Sequence, residues 1–329
     1  MIVGIVLTMA NQGGRVNARF VLAAFAALIA PLAARADCQV AEVLELPVVM
    51  QGLRPTVPAK VDGADARFVL DSGDYESWIT ASGANRLRLK ATLDASDYRA
   101  QGAGDSPMTT VKTFSLGGFV FNGAAFQVYE GKPGKDIDGF IGQKLLKVAD
   151  VDYDLHGGFV RLMRPTDCSG QPLAYWLKPG ETFGTAGLTS GGLYGTEATA
   201  TATINGVQVT TGFSTGNTVS ILTLAAAKRI GISLHDPGVA AAGAMTWRGD
   251  QVKTWIAPIK SFEFAGEEIH NTSLRITATD VTGHDLVLGM DYFLSHHIYF
   301  SNSQKKLYVT YAGGPVFSAY NVASEPGGH

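Results

Sequence analysis

Cysteine is scarce: Cys38 and Cys168 are the only two in a chain of 329 residues. That number excludes a disulfide-rich scaffold and any four-thiolate zinc site. Charge is also sparse, at 17% of residues, and 26 basic against 29 acidic side chains leave a formal net charge of −3. Such a balance provides no basic face large enough for nucleic acid to be the main partner. The first 36 residues hold no Asp or Glu at all, and stretches of helical composition are few and short. What is plentiful is apolar: 46% of the chain, with 39 glycines and 13 prolines. This is enough for a sizeable core and far too much for a disordered chain. At about 150 residues per domain, the length points to two domains.

The acid-free start carries Arg15, Arg19 and Arg35 around the apolar run FVLAAFAALIAPLAA, which ends at Ala34-Arg35-Ala36. A charged start, a short apolar run and small residues at the cut define a secretory signal peptide. Met9 is an equally good start, because the eight residues before it add nothing to the signal. The competing reading, an uncleaved membrane anchor, is disfavoured by the short run and by Pro31 within it. Cleavage after Ala36 predicts a periplasmic or secreted protein beginning at Asp37, with no stable membrane anchor. In that compartment Cys38 and Cys168 are expected to form a disulfide, an isolated buried cysteine being the alternative. Asp37 stands where a lipid-anchoring signal would need a small residue.

The most informative feature is an internal repeat. VDGADARFVLDSGDYESWITASGANRLRL (61–89) aligns without a gap on INGVQVTTGFSTGNTVSILTLAAAKRIGI (204–232). Gly63 meets Gly206, Gly73 meets Gly216, Ser77 meets Ser220, Thr80 meets Thr223 and Arg86 meets Arg229, all 143 residues apart. Further on, DGFIGQKLL (138–146) parallels DLVLGMDYFL (285–294), and a similar strand pair closes each copy at 148–163 and 296–311. A period this long is a duplicated domain and not a solenoid. The segments are short, β-branched and aromatic, broken by Gly, Asn and Asp, which makes the fold mostly β. The expected organisation is a leader at 1–36, a first lobe at 37–165, a Gly/Pro-rich linker at 166–190, a second lobe at 191–311 and a weakly patterned tail at 312–329. Phe317 and Tyr320 are the tail residues able to dock.

Asp71-Ser72-Gly73 directly follows the apolar run FVL. Glycine lets the chain turn sharply there, and a carboxylate at the end of a buried strand is costly unless hydrogen-bonded or used. An apolar-apolar-Asp-Ser-Gly element (FVLDSG, 68–73), a glycine-rich stretch (QGAG, 101–104) and apolar-apolar-Gly before a short helix (FIG, 140–142) resemble the aspartic proteases. The closest likeness is to the two-lobed, secreted, retropepsin-like bacterial members. The second copy presents GFSTG (212–216), AAGAM (241–245) and VLG (287–289), so the resemblance spans most of residues 55–311. It implies two homologous β lobes with a cleft between them that holds an extended peptide. It also implies a carboxylate from each lobe at the cleft floor, one acting as acid while the other activates water. Carried over, Asp71 is the first carboxylate, Ser72, Gly73, Thr215 and Gly216 brace the paired turns, and Gly102 and Gly104 sit in a flap hairpin. No cofactor and no metal are implied.

The chain departs from the pattern at the second carboxylate, where Ser214 stands in its place. A serine hydroxyl holds no negative charge at working pH, so the acid–base pair is incomplete within one chain. Three routes follow: a peptide-binding cleft without catalysis, a homodimer that brings two Asp71 carboxylates together, or Asp71 working alone with a water held by Ser214. Asp74, three positions on, adds a carboxylate that strand-turn geometry gives no reason to aim at Asp71.

Other signals are weaker. Gly212-Phe213-Ser214-Thr215-Gly216 also fits the G-x-S-x-G elbow of serine hydrolases, with Asp280 or Asp285 and His296 or His297 in the required order. No alternating βαβ pattern surrounds it. His284, His296 and His297 lack metal-ligand spacing and read as solvated or edge-strand residues. Asn271-Thr272-Ser273 matches a glycosylation acceptor, a frequent chance match. Gly102-Ala103-Gly104 opens no strand-to-helix phosphate loop.

Overall fold

A computed structural model describes residues 37–90, 107–130, 134–192, 195–247, 250–278 and 283–317. The leader 1–36, the flap glycines Gly102 and Gly104, Asp280 and the end of the tail from 318, with Tyr320, lie outside the described residues.

The first repeat builds β1 (Gln39–Pro47), β2 (Val49–Gln51), β3 (Arg54–Val61), β4 (Ala64–Leu70), β5 (Trp78–Thr80), α1 (Ala81–Arg86), β6 (Met108–Thr110), β7 (Thr113–Leu116), β8 (Phe119–Asn122), β9 (Ala125–Tyr129), β10 (Gly139–Ile141), α2 (Gln143–Leu146), β11 (Asp150–Asp154) and β12 (Phe159–Thr166). After β13 (Gly184–Gly187) and β14 (Thr189–Gly191), the second gives β15 (Glu197–Ile204), β16 (Val207–Phe213), β17 (Ile221–Thr223), α3 (Leu224–Arg229), β18 (Ala240–Trp247), β19 (Asp250–Phe264), β20 (Glu267–Thr277), β21 (Leu286–Leu288), α4 (Met290–Phe293), β22 (His296–Ser301) and β23 (Lys306–Tyr311).

The two copies share one topology. In the first, β4 runs parallel to β10, β10 antiparallel to β5, and β5 parallel to β9. In the second, β16, β21, β17 and β20 repeat those relations in the same order. The aligned residues explain why. Asp62-Gly63 and Asn205-Gly206 all have positive φ, the two-residue turn whose twist suits a hairpin. Thr80 caps α1 by accepting the Gly83 N–H, and Thr223 caps α3 through Ala226 N–H. The repeated arginines end these helices and reach carboxylates that open the closing strands, Arg86 to Asp138 at 2.6 Å and Arg229 to Asp285 at 2.7 Å.

Each copy folds around an aromatic centre. Phe114 meets Phe68 and Phe126 edge-on in the first, and Phe213, Phe262 and Phe264 cluster in the second. A third sheet, of order β1-β12-β11-β22-β23-β13, takes strands from both copies and joins them. The chain is mostly β, as its composition predicts.

The 166–190 segment is more than a connector. Cys168 bonds Cys38, Leu173 is fully buried, and Trp176 stacks on His297 at 4.1 Å while its indole N–H donates to Thr310. Its β13 then pairs with β23. Glycine and proline set its loop-like composition, but Cys168, Leu173 and Trp176 anchor it to the shared sheet. From the tail, Phe317 is buried edge-on against Phe262.

Candidate functional site

The end of β4 delivers Asp71 and the end of β16 delivers Ser214, in equivalent backbone settings. Asp71 N–H donates to Ile141 C=O and Ser214 N–H to Leu288 C=O, each at 2.9 Å. The two turns interlock across the lobes. Ser72 N–H donates to the Thr215 hydroxyl and Thr215 N–H to the Ser72 hydroxyl, both at 3.0 Å. Thr215 Oγ1 also donates to Leu70 C=O at 2.6 Å. Both glycines allow the close approach. A Cβ on Gly73 would stand 2.4 Å from Ser214 Cβ, and one on Gly216 would stand 2.0 Å from Asp71 Oδ2.

Asp71 and Ser214 therefore face each other. Ser214 Oγ donates to Asp71 Oδ1 at 3.0 Å, and the same oxygen accepts N–H groups from Gly73 at 2.8 Å and Gly216 at 3.3 Å. Both side chains are buried, at 7% and 6% exposure. Burial raises the Asp71 carboxyl above its ordinary range, more than its hydrogen bonds from Gly73, Ser214, Gly216 and Asp74 lower it. Burial, with the nearby Asp71 charge second, holds the Tyr153 phenol protonated well above the usual tyrosine range.

The residues expected from the motif, Asp71, Ser72, Gly73, Ser214, Thr215 and Gly216, come together in one place. Asp74 contributes backbone groups: its N–H turns to Asp71, and its C=O accepts from Gln143 N–H at 2.8 Å. Two further residues belong here. Gln143 Nε2 donates to Ser72 C=O, and Asn217 N–H donates to Ser214 Oγ at 3.2 Å. Gln143 directly follows the FIG motif, the one signal that could have marked it.

The elbow partners are engaged elsewhere. Asp285 binds Arg229 and Thr210. His296 lies between Tyr292 C=O and Glu267, and His297 reaches the buried Asp152. His284 lies against Gly212, with Nε2 on the Thr199 hydroxyl at 2.8 Å. These three histidines are buried and hydrogen-bonded, not solvated as their spacing suggested, because each meets a partner distant in sequence. No cluster of three or more His, Cys, Asp or Glu side chains arranged to hold a metal occurs among the described residues.

Two lobes of one topology, interlocked at Ser72 and Thr215 with an Asp-Ser-Gly turn where they meet, define an aspartic-protease-like architecture. Comparison with protein families agrees: residues 57–145 match an aspartyl protease family, and residues 200–296 match one described as "gag-polyprotein putative aspartyl protease". The chain belongs to the retropepsin-like aspartic protease superfamily. Among solved structures it is similar to a retropepsin-like aspartic protease from Rickettsia conorii, at 19% identity over 40% of this chain and 96% of that one, with a TM-score of 0.27. No curated protein sequence matches significantly.

Proposed function

We propose that the protein is exported and binds an extended peptide in the cleft between its lobes, with Asp71 and Ser214 at the floor, and that one chain lacks the acid–base pair needed for efficient hydrolysis. The observation that carries this reading is the 3.0 Å hydrogen bond from Ser214 Oγ to Asp71 Oδ1. Hydrolysis needs one group to take a proton from water while another gives one to the peptide. A neutral Asp71 can donate but leaves no acceptor for the water proton; an ionised Asp71 has the reverse defect. Ser214 supplies neither function at working pH. General acid–base assistance contributes about 10²–10⁴ in rate, so turnover falls by that order. Hydrolysis by Asp71 with a Ser214-held water is the residual activity this reading allows.

The other routes carry less support. Pairing two Asp71 carboxylates from separate chains would require Ser214 to leave its seat, breaking the Ser72–Thr215 interlock and the shared sheet. A serine hydrolase would need a histidine on Ser214, and the candidates His296 and His297 are bonded to Glu267 and Asp152 instead.

The test incubates the mature protein with an unfolded polypeptide from pH 3 to 8, reading binding by fluorescence anisotropy and cleavage by mass spectrometry, with a fluorophosphonate probe alongside. Saturable binding with slow or no cleavage and an unlabelled Ser214 is expected. Rapid cleavage, or labelling of Ser214, overturns the proposal.

A further inference from the structure

The duplication supplies an internal control for the outer edges of the two lobes. In the first, β7 pairs Phe114 with Phe121, Ser115 with Val120 and Leu116 with Phe119 of β8. In the second, the hairpin of β19 and β20 pairs Phe262 with Ile269, Glu263 with Glu268 and Phe264 with Glu267. Val61 and Ile204 hold equivalent places beside Phe114 and Phe262. Val120 thus corresponds to Glu268 and Phe119 to Glu267. The second lobe carries charge where a sheet edge needs protection from pairing; the first carries Phe119 and Val120, 45% and 57% exposed, on a strand that ends its sheet.

We infer that β8 is the pairing edge of an isologous homodimer, the β8 strands of two copies running antiparallel with Val120 facing Val120 across the two-fold axis. The alternation of faces restricts the two-fold axis to registers centred on a residue. Phe119 and Phe121 share the core-side face and Val120 the other, and directly opposed residues in an antiparallel pair must share a face. Centring on Val120 places each Phe119 opposite the other copy's Phe121, an aromatic cross-strand pair on the core side. The sequence Phe119-Val120-Phe121 reads alike in both directions and carries no charge, so it complements itself without repulsion. This inference is independent of what the cleft binds.

Analytical ultracentrifugation of the parent from about 1 to 100 μM should show the mass rising from one chain toward two. Val120→Glu and Phe119→Glu, which copy the second lobe's charges, should remain single chains with unchanged circular dichroism and Tm. Under mild oxidation Val120→Cys should cross-link into dimers, whereas Asn122→Cys, displaced from its own copy in this register, should not. A parent that stays a single chain throughout overturns the inference, whether or not the edge takes up another peptide. So does a dimer indifferent to both glutamates, which would use another face, or cross-linking at residue 122 and not at 120.

Discussion

Replacing Thr215 with valine tests whether the interlock holds the two lobes together. Valine keeps the shape of a fully buried side chain but removes its hydroxyl. Two backbone groups then lose their partners, Ser72 N–H, donating at 3.0 Å, and Leu70 C=O, accepting at 2.6 Å. A buried polar group left unpaired costs about 1–3 kcal/mol, so Thr215→Val should destabilise by roughly 2–6 kcal/mol. Ser72→Ala orphans a different backbone group, Thr215 N–H, takes a hydrogen-bond partner from the buried Tyr153 phenol, and should cost a similar amount. The double variant should cost less than the sum, because the two residues share one network. Urea unfolding of the parent, both single variants and the double variant reads all four values, provided the slope stays constant. A Thr215→Val cost within about 0.5 kcal/mol of zero, the range of an ordinary surface substitution, would refute the reasoning.

Asp71→Asn should stabilise the protein relative to the parent as pH rises. The folded carboxyl binds its proton more tightly than the unfolded one, so the parent loses stability above the ordinary Asp range, at about 1.4 kcal/mol per unit of displacement, and the amide does not. A thermal-shift difference that is flat from pH 3 to 8 contradicts this. Burial raises Asp291 to about 6, so its carboxyl carbon should titrate near that value by NMR, and the decline in stability between about pH 4 and 6 should flatten in Asp291→Asn. The Cys38–Cys168 bridge closes a separation of 130 residues, and removing it by Cys38→Ala/Cys168→Ala should cost about 2–5 kcal/mol in denaturant unfolding. Unchanged stability would show that the bridge does not constrain the unfolded chain.

Much of the site was legible because its parts are local. Asp71-Ser72-Gly73 and Ser214-Thr215-Gly216 are contiguous triplets following apolar strands, and the ungapped repeat pairs them by position alone. Thr80, Thr223, Arg86 and Arg229 stood out in the alignment, though only the fold shows them as helix caps and ion pairs. Less could be read where partners are distant. Asp152 meets His297, Tyr175 and Arg161 only after β11 and β22 join in the shared sheet, so no spacing announces that network. The 166–190 segment looked like a linker because composition reports backbone freedom and not the sheet face that Leu173 and Trp176 find. Gln143 escaped notice because the bond from its side chain to Ser72 C=O exists only when the turn and α2 meet.

The central claim is that Ser214 occupies the seat of a second catalytic carboxylate opposite Asp71. Ser214→Asp tests it most directly. Two carboxylates at that separation cannot both ionise, so they should share a proton and supply acid and base together. Cleavage of a denatured protein, followed by mass spectrometry across pH 3 to 8, should appear or increase at acid pH and vanish when Asp71→Asn is added. A folded Ser214→Asp protein that binds the same polypeptide yet cleaves no faster than the parent at any pH would contradict the account.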